Sequence, residues 1–387
     1  RTATFERQSQ LMARLPGIRT TASAQLPTTV DGATTLKLVT KHQPFTIGLG
    51  GELRRPTSRF VSTATVNDLL WGGSQLQVSA LLRAWDTERF FSVAHTQLIN
   101  DQGTLLRVSA SNYRSLDDAY LATQGYNDLT RQRRVDLSVQ HPWRLSSTES
   151  GFVSGGFYGV NYARSYQFPA IGARVDEQER IRVLTGQFTW AQATARGSHS
   201  LQLTFAQGLS GLGARTARSN NVGAEMVPST VKLSFTRLSF DASVRRRFGE
   251  SAWGGGFNIG GQLTPHRLPT PERISFGGSR YARGYQPGAV SADQGLGLGL
   301  EINRVFTTQS TLVRQWEPYL LYEVARTWQR QTGEVESRLR SASLGVRFAG
   351  GKSYSADVAV SKPLGDRTLD NPQRKLRLSL MLSYQFD

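Results

Sequence analysis

From Leu376 to Phe386 every second residue is large and apolar: Leu376, Leu378, Leu380, Leu382, Tyr384 and Phe386, with Arg377, Ser379, Met381, Ser383 and Gln385 between them. Side chains alternate between faces along a strand, so this segment has one wholly apolar face and one almost wholly polar face. Its length matches the roughly 9–11 residues with which a tilted strand crosses the hydrocarbon of a bilayer. Tyr384 and Phe386 stand where an aromatic girdle meets the interface. A strand of this kind has to separate two unlike media.

The same period recurs upstream. Leu76, Val78 and Ala80 follow the pair Gly72-Gly73; Val135, Leu137 and Val139 form a second set, and Leu201, Leu203 and Phe205 a third. Ala356, Val358 and Val360 alternate with Ser355, Asp357, Ala359 and Ser361. Short polar or Gly-containing turns at 100–103, 195–197 and 350–352 precede several of these runs. The pattern predicts strands at 44–50, 59–69, 74–85, 88–99, 104–113, 129–140, 152–165, 180–192, 199–211, 230–246, 253–265, 295–306, 315–328, 338–349, 353–363 and 375–386. The fold class is therefore all-β, a transmembrane antiparallel β-barrel of about 16 strands, an even number as bacterial single-chain barrels require. Within 230–246 the apolar parity switches from Val231, Leu233 and Phe235 to Leu238, Phe240 and Val244, which predicts a bulge near Arg237.

Composition fits this reading and excludes others. No run approaches the roughly 18 consecutive apolar residues of a spanning helix. Hydrophobic residues make up 38% of the 387, a polar average expected when only alternate residues face lipid. There is no Cys, hence no disulfide framework and no thiolate metal site. His42, His95, His141, His199 and His266 are scattered singly, and Gly208-Leu209-Ser210-Gly211 lacks the form of a nucleophile elbow, so neither an enzyme, a metal site nor a cofactor is expected. The net charge of +17 is mostly Arg, spread without an aromatic-basic recognition motif. It reads as interfacial and lumenal arginine rather than a nucleic-acid groove. Gly295, Gly297 and Gly299 lie at every second place of a strand, where they leave room for packing.

The first 42 residues differ. Phe5 to Leu15 has helical character and stops at Pro16-Gly17; strand-like runs at 18–26 and 34–41 follow, joined by a turn containing Asp31-Gly32. A helix and hairpin of this size bury little core alone. Residues 1–42 therefore read as the back half of a small α+β module and 43–387 as the barrel. The chain opens on Arg1 without an initiator Met or a signal peptide, as a mature or trimmed piece would.

Between the eleventh and twelfth predicted strands, at about 266–294, lies a long loop. It contains Pro271-Glu272-Arg273-Ile274-Ser275-Phe276-Gly277-Gly278-Ser279-Arg280-Tyr281-Ala282-Arg283-Gly284-Tyr285-Gln286-Pro287-Gly288 and reaches Asp293. This resembles the two-partner secretion transporters of the outer membrane, the haemolysin and filamentous-haemagglutinin secretion family, related to the barrel-assembly insertases. In that family the loop after the eleventh strand folds back into the barrel and carries a Val-Arg-Gly-Phe/Tyr tip. Here Ala282 stands in the Val place, and Arg283, Gly284 and Tyr285 match. Gly277, Gly278, Asp293, Gly295 and Glu301 also fit the family pattern. The turn from Asn67 to Leu76 resembles the family's first tight turn, and helix, Leu15-Pro16-Gly17-Ile18 and hairpin resemble the end of its second periplasmic POTRA module.

The resemblance implies an outer-membrane transporter, its N-terminal module in the periplasm, that exports an unfolded partner protein of β-helical adhesin or haemolysin type. Its outer face would meet lipid and lipopolysaccharide, and no cofactor is implied. It further implies that Arg283 pairs with a carboxylate on the thirteenth strand, in a Phe-x-Asp-x-Gly motif whose places are Leu321, Glu323 and Ala325 here. Glu323 shares parity with Glu317 and Tyr319 and should point inward. An insertase and a diffusion porin remain the alternatives. The porin has no reason for a periplasmic module.

Overall fold

The computed structural model describes residues 2–24, 36–54, 58–69, 71–82, 87–116, 125–223, 225–226, 229–310, 312–330, 336–350 and 354–386. Among them, sixteen antiparallel strands close a barrel. They are β1 (Phe45–Arg54), β2 (Ser58–Asn67), β3 (Ser74–Leu81), β4 (Glu88–Leu98), β5 (Leu105–Leu116), β6 (Asn127–Leu145), β7 (Glu149–Phe168) and β8 (Ala173–Thr194). The second half comprises β9 (Gly197–Gly208), β10 (Thr236–Arg247), β11 (Trp253–Leu263), β12 (Gln294–Arg304), β13 (Gln315–Trp328), β14 (Ser337–Gly350), β15 (Tyr354–Pro363) and β16 (Arg377–Phe386). Each strand pairs with its chain neighbour, and β16 pairs back onto β1 from Ser379↔Arg54 to Phe386↔Ile47.

The outward faces are the apolar ones. Leu137, Leu203, Leu300, Leu344, Val360 and Leu378 all lie open on the outside of the barrel. A water-soluble monomer does not display a continuous apolar band of this kind, and lipid is the medium that accepts it. Aromatic pairs ring one end: Trp143 stacks on Phe188 at 5.7 Å, Phe306 on Trp316 at 4.2 Å, and Tyr384 meets Phe386 edge-on at 4.4 Å. That end also carries the short turns. In the first of them, Asp68 takes a φ of 55° and its Oδ1 accepts the Gly73 N–H at 2.7 Å, while its own N–H reaches the Ser74 carbonyl at 2.8 Å. This short polar side chain closes the turn by bonding its own backbone.

Three strands exceed their expected lengths by six residues or more. β6, β7 and β8 run well past the expected 129–140, 152–165 and 180–192, and past what a bilayer needs. Their extra residues lie at both ends: five of β6, 141–145, at the short-turn end, and seven of β8, 173–179, at the long-loop end, where a further strand, Arg215–Asn220, pairs with Val175–Arg180 of β8. The expected bulge near Arg237 is replaced by a simpler arrangement. β10 starts at Thr236 and keeps continuous register with β9 and β11, so Val231, Leu233 and Phe235 belong to the segment before the strand. Phe235 is fully buried there with Tyr158, Val160, Ile181 and Leu268. The register irregularity lies instead between Pro142 and Arg144, where proline offers no N–H to the ladder.

At the short-turn end sit a helix, Thr2–Met12, and a hairpin of Ile18–Ala24 with Leu36–His42. The Asp31-Gly32 turn lies outside the described residues. Leu11 packs against Gly103 and the Arg7 guanidinium donates to the Pro142 carbonyl at 3.3 Å. The Asn67 amide donates to the Gln43 carbonyl at 2.8 Å, and His42 Nε2 lies 3.1 Å from Asp68. The small module is thus tied to the turns of the barrel mouth.

Because Leu344 faces lipid near the middle of β14, Leu344→Arg should destabilise the inserted barrel by about 2–4 kcal/mol. Denaturant unfolding in lipid vesicles measures this, and an unchanged midpoint would contradict the outward assignment.

Candidate functional site

The segment between β11 and β12, residues 264–293, does not extend away from the barrel. Its base is held by polar groups that reach it from several strands. The Gln262 amide donates to the carbonyls of Glu272 and Asp293, both at 3.0 Å. Asp293, 1% exposed, accepts the Leu268 and Arg330 N–H groups at 2.9 Å each and lies 3.7 Å from Arg273. Glu272 accepts the Tyr158 hydroxyl of β7 at 2.8 Å and pairs with Arg237 of β10 at 3.0 Å. Glu179 of β8 accepts the Thr270 N–H at 2.8 Å. Buried carboxylates are costly unless bonded this fully.

From there a small hairpin, Ile274–Phe276 with Val290–Ala292, carries the chain to a tight tip. Gly277 and Gly278 take φ of 113° and 67°, and a Cβ on Gly277 would stand 2.1 Å from the Gln286 carbonyl. Tyr281 and Ala282 are also left-handed, at 55° and 62°. Such positions cost roughly 1–3 kcal/mol each and persist only where packing enforces them. Here it does: Phe276, Tyr281, Ala282 and Tyr285 form one buried cluster with Ala325 of β13 and Leu339 of β14. The alternating glycines of β12 make the room. A Cβ on Gly295 would meet the Phe276 ring at 2.6 Å, and one on Gly297 the Tyr281 ring at 2.4 Å. Gly284 lies against the wall itself, where a Cβ would come within 2.6 Å of the Pro363 backbone nitrogen. The Tyr285 hydroxyl donates to the Asp366 carbonyl and accepts the Gly365 N–H, at 3.0 and 2.9 Å.

The base of the loop bonds to β7 and β8 and the tip to β13, β15 and β1. In a ring of sixteen, β8 and β16 are opposite staves, so the loop crosses the interior.

Arg283 and Glu323 do meet, by a different bond from the one the resemblance implies. Glu323, 3% exposed, accepts the backbone N–H of Arg283 at 2.8 Å and the Ser341 hydroxyl at 3.2 Å. The guanidinium passes it, donating to the Tyr319 hydroxyl at 2.6 Å and to Asp357 of β15 at 3.1 Å. The cause is direction. Tyr319 lies four residues nearer the short-turn end than Glu323, and the side chain points down the wall. Tyr319 in turn donates to Asp357 at 2.7 Å, and Arg347 lies over its ring at 4.0 Å while bonding Glu301 and Glu317 at 2.7 and 2.9 Å. The result is a charged lattice on the inner face of β12–β15.

Comparison with known proteins agrees with this geometry. Residues 158–348, from β7 to β14, match the family model of the haemolysin secretion/activation protein ShlB/FhaC/HecB. The Heme/hemopexin transporter protein HuxB of Haemophilus influenzae (strain 86-028NP) is 29% identical over 125 residues, which is 30% of this chain and 22% of that protein. The match thus spans less than a quarter of the curated relative. Among solved structures, CdiB from Escherichia coli superposes with a TM-score of 0.73 at 15% identity, over 97% of this chain and 69% of that one. BamA from Haemophilus ducreyi lacking POTRA domains 1-3 gives 0.60 at 11% identity, over 95% and 75%. Over residues 158–348, just under half of its length, the chain is thus similar to the two-partner secretion transporters of the outer membrane.

Two wall residues of the site escaped sequence reasoning. Asp357 alternates inward with Ser355 and Ala359, so its face was legible; that it stands beside Tyr319 depends on register across three strands. Arg54, whose Nη1 donates to the tip carbonyls of Arg283 and Tyr285, falls beyond the expected end of the first strand at 50. Its only local signal is the inward alternation of Glu52 and Arg54 around Leu53.

Removing Asp357 leaves a buried guanidinium without its carboxylate, a loss typically of about 3–5 kcal/mol. Asp357→Ala and Arg283→Ala should therefore each raise channel opening in planar bilayers, and the double variant should open no more than either alone. Additive effects would separate the two residues.

Proposed function

We propose that this transporter exports a partner polypeptide, unfolded, through the barrel lumen, with the loop at 264–293 as the obstruction that has to move. The observation that carries the reading is the tip seated across the interior by Arg283, Gly284 and Tyr285, with Gly277, Gly278 and Asp293 holding the loop's shape. The passenger would be a secreted adhesin or haemolysin of β-helical type. Its own folding outside supplies the energy, since the sequence carries no nucleotide-binding motif. Lipid and lipopolysaccharide cover the outer face. Residues 1–42 act as the end of a periplasmic POTRA module that captures the passenger by strand addition, a mode read through backbone hydrogen bonds. Its place supports this: Arg14 lies over the Phe152 ring at 4.9 Å, and Phe152 shares the inward face of β7 with Tyr158.

Arg283→Ala should abolish or sharply reduce secretion of the partner while the barrel stays inserted and heat-modifiable. Normal export by that variant would sink the proposal. Capture is tested separately. Deleting residues 1–42 should lower export with the barrel still inserted, and undiminished secretion would assign recognition to the barrel alone.

A further inference from the structure

The tip is held from both sides of the barrel's closing seam. On one side are Glu323, Tyr319 and Asp357, on β13 and β15. On the other is Arg54, the last residue of β1, directly paired with Ser379 of β16. The Arg54 side chain is 2% exposed, and its Nε donates to Glu52 at 2.8 Å, which fixes the plane of the guanidinium. From that fixed position Nη1 donates to the carbonyls of Arg283 at 2.7 Å and Tyr285 at 3.0 Å. Both acceptors belong to the turn closed by the Tyr285 N–H on the Ala282 carbonyl. Arg54 therefore grips the backbone shape of the tip and not its side chains.

We propose that Arg54 is a positioning residue that seats the loop tip and ties it to the barrel seam, with Glu52 orienting it. A carbonyl pair converging on one nitrogen forms only when the tip is in place, so this contact is made in the seated state and lost in any other. It also brings two guanidinium groups together, an arrangement that Glu52 and Asp357 offset, each from its own side. The tip thus spans β16, bonded to β15 on one flank and to β1 on the other. Seating itself follows from this geometry; its consequence for export rests on the function proposed above.

The test uses the full chain in planar bilayers and in a secretion assay. Arg54→Ala should raise the frequency of open-channel events by roughly tenfold, about 1.4 kcal/mol in the balance between seated and released tip. Arg54→Lys should restore most of the closed state, because an ammonium group can still donate to both carbonyls. Arg174→Ala is the control, since it removes the same charge from β8, where Arg174 pairs with Asp176 at 2.8 Å away from the tip. Wild-type opening by a heat-modifiable Arg54→Ala barrel overturns the proposal, as does a Lys variant no better than Ala. Should the Ala variant not fold, Glu52→Gln takes its place. Several-fold more opening supports the orienting role and wild-type opening refutes it. More opening with unchanged secretion would leave the seating intact and remove the loop from the export path.

Discussion

Inside a bilayer the backbone has no water to bond, so each strand must find its partners in another strand and the last must find the first. Closure of β16 onto β1 is the condition on which every other feature rests. It sets an even number of strands and brings the two ends of the barrel to one side. It also turns alternate residues into a lumen that lipid never touches. The charged groups of this protein occupy that lumen because no other membrane-depth position tolerates them.

Within the closed ring, the loop between β11 and β12 answers a packing question before any functional one. β12 presents glycine at 295 and 297, and a strand with a bare inner face needs something laid against it. Phe276 and Tyr281 fill that space, which draws the loop inward. The left-handed pair Tyr281-Ala282 is the cost of turning back within so short a distance. Ala282 suits a φ of 62°, which a β-branched residue strongly disfavours.

Sequence reading located all sixteen strands because one-sided burial leaves a period of two, and a strand facing lipid has the cleanest such period of any. It failed where local pattern and tertiary role diverge. Phe235 looks like a strand residue and is buried beside Leu268 in a core that the loop completes. β6 to β8 outrun the membrane, where lipid no longer imposes alternation and their ends leave no mark. In the site, the pairing of Arg283 with Glu323 came from the family resemblance, and parity added only that Glu323 faces inward. Which atoms meet was not legible, because parity is silent about height. Asp357 lies two strands from Glu323, and Arg54 more than two hundred residues from the tip in sequence.

A tip held by ions behaves differently from one held by apolar packing alone. Separating a seated apolar tip exposes its area to water at a cost that nothing repays. Separating Arg283 from Asp357, or Arg54 from two carbonyls, returns each group to hydration, so much of the interaction lost is recovered from solvent. The same bonds are therefore geometrically exacting and thermodynamically modest. Deleting one partner remains severe, because the survivor stays buried without recompense. A lumenal strap that must be in one place when closed, and still able to leave it, calls for this combination. It accounts for a tip whose small buried cluster, Phe276 with Tyr281, Ala282 and Tyr285, is flanked by the bonds of Arg54, Arg283 and Asp357 in place of more hydrocarbon.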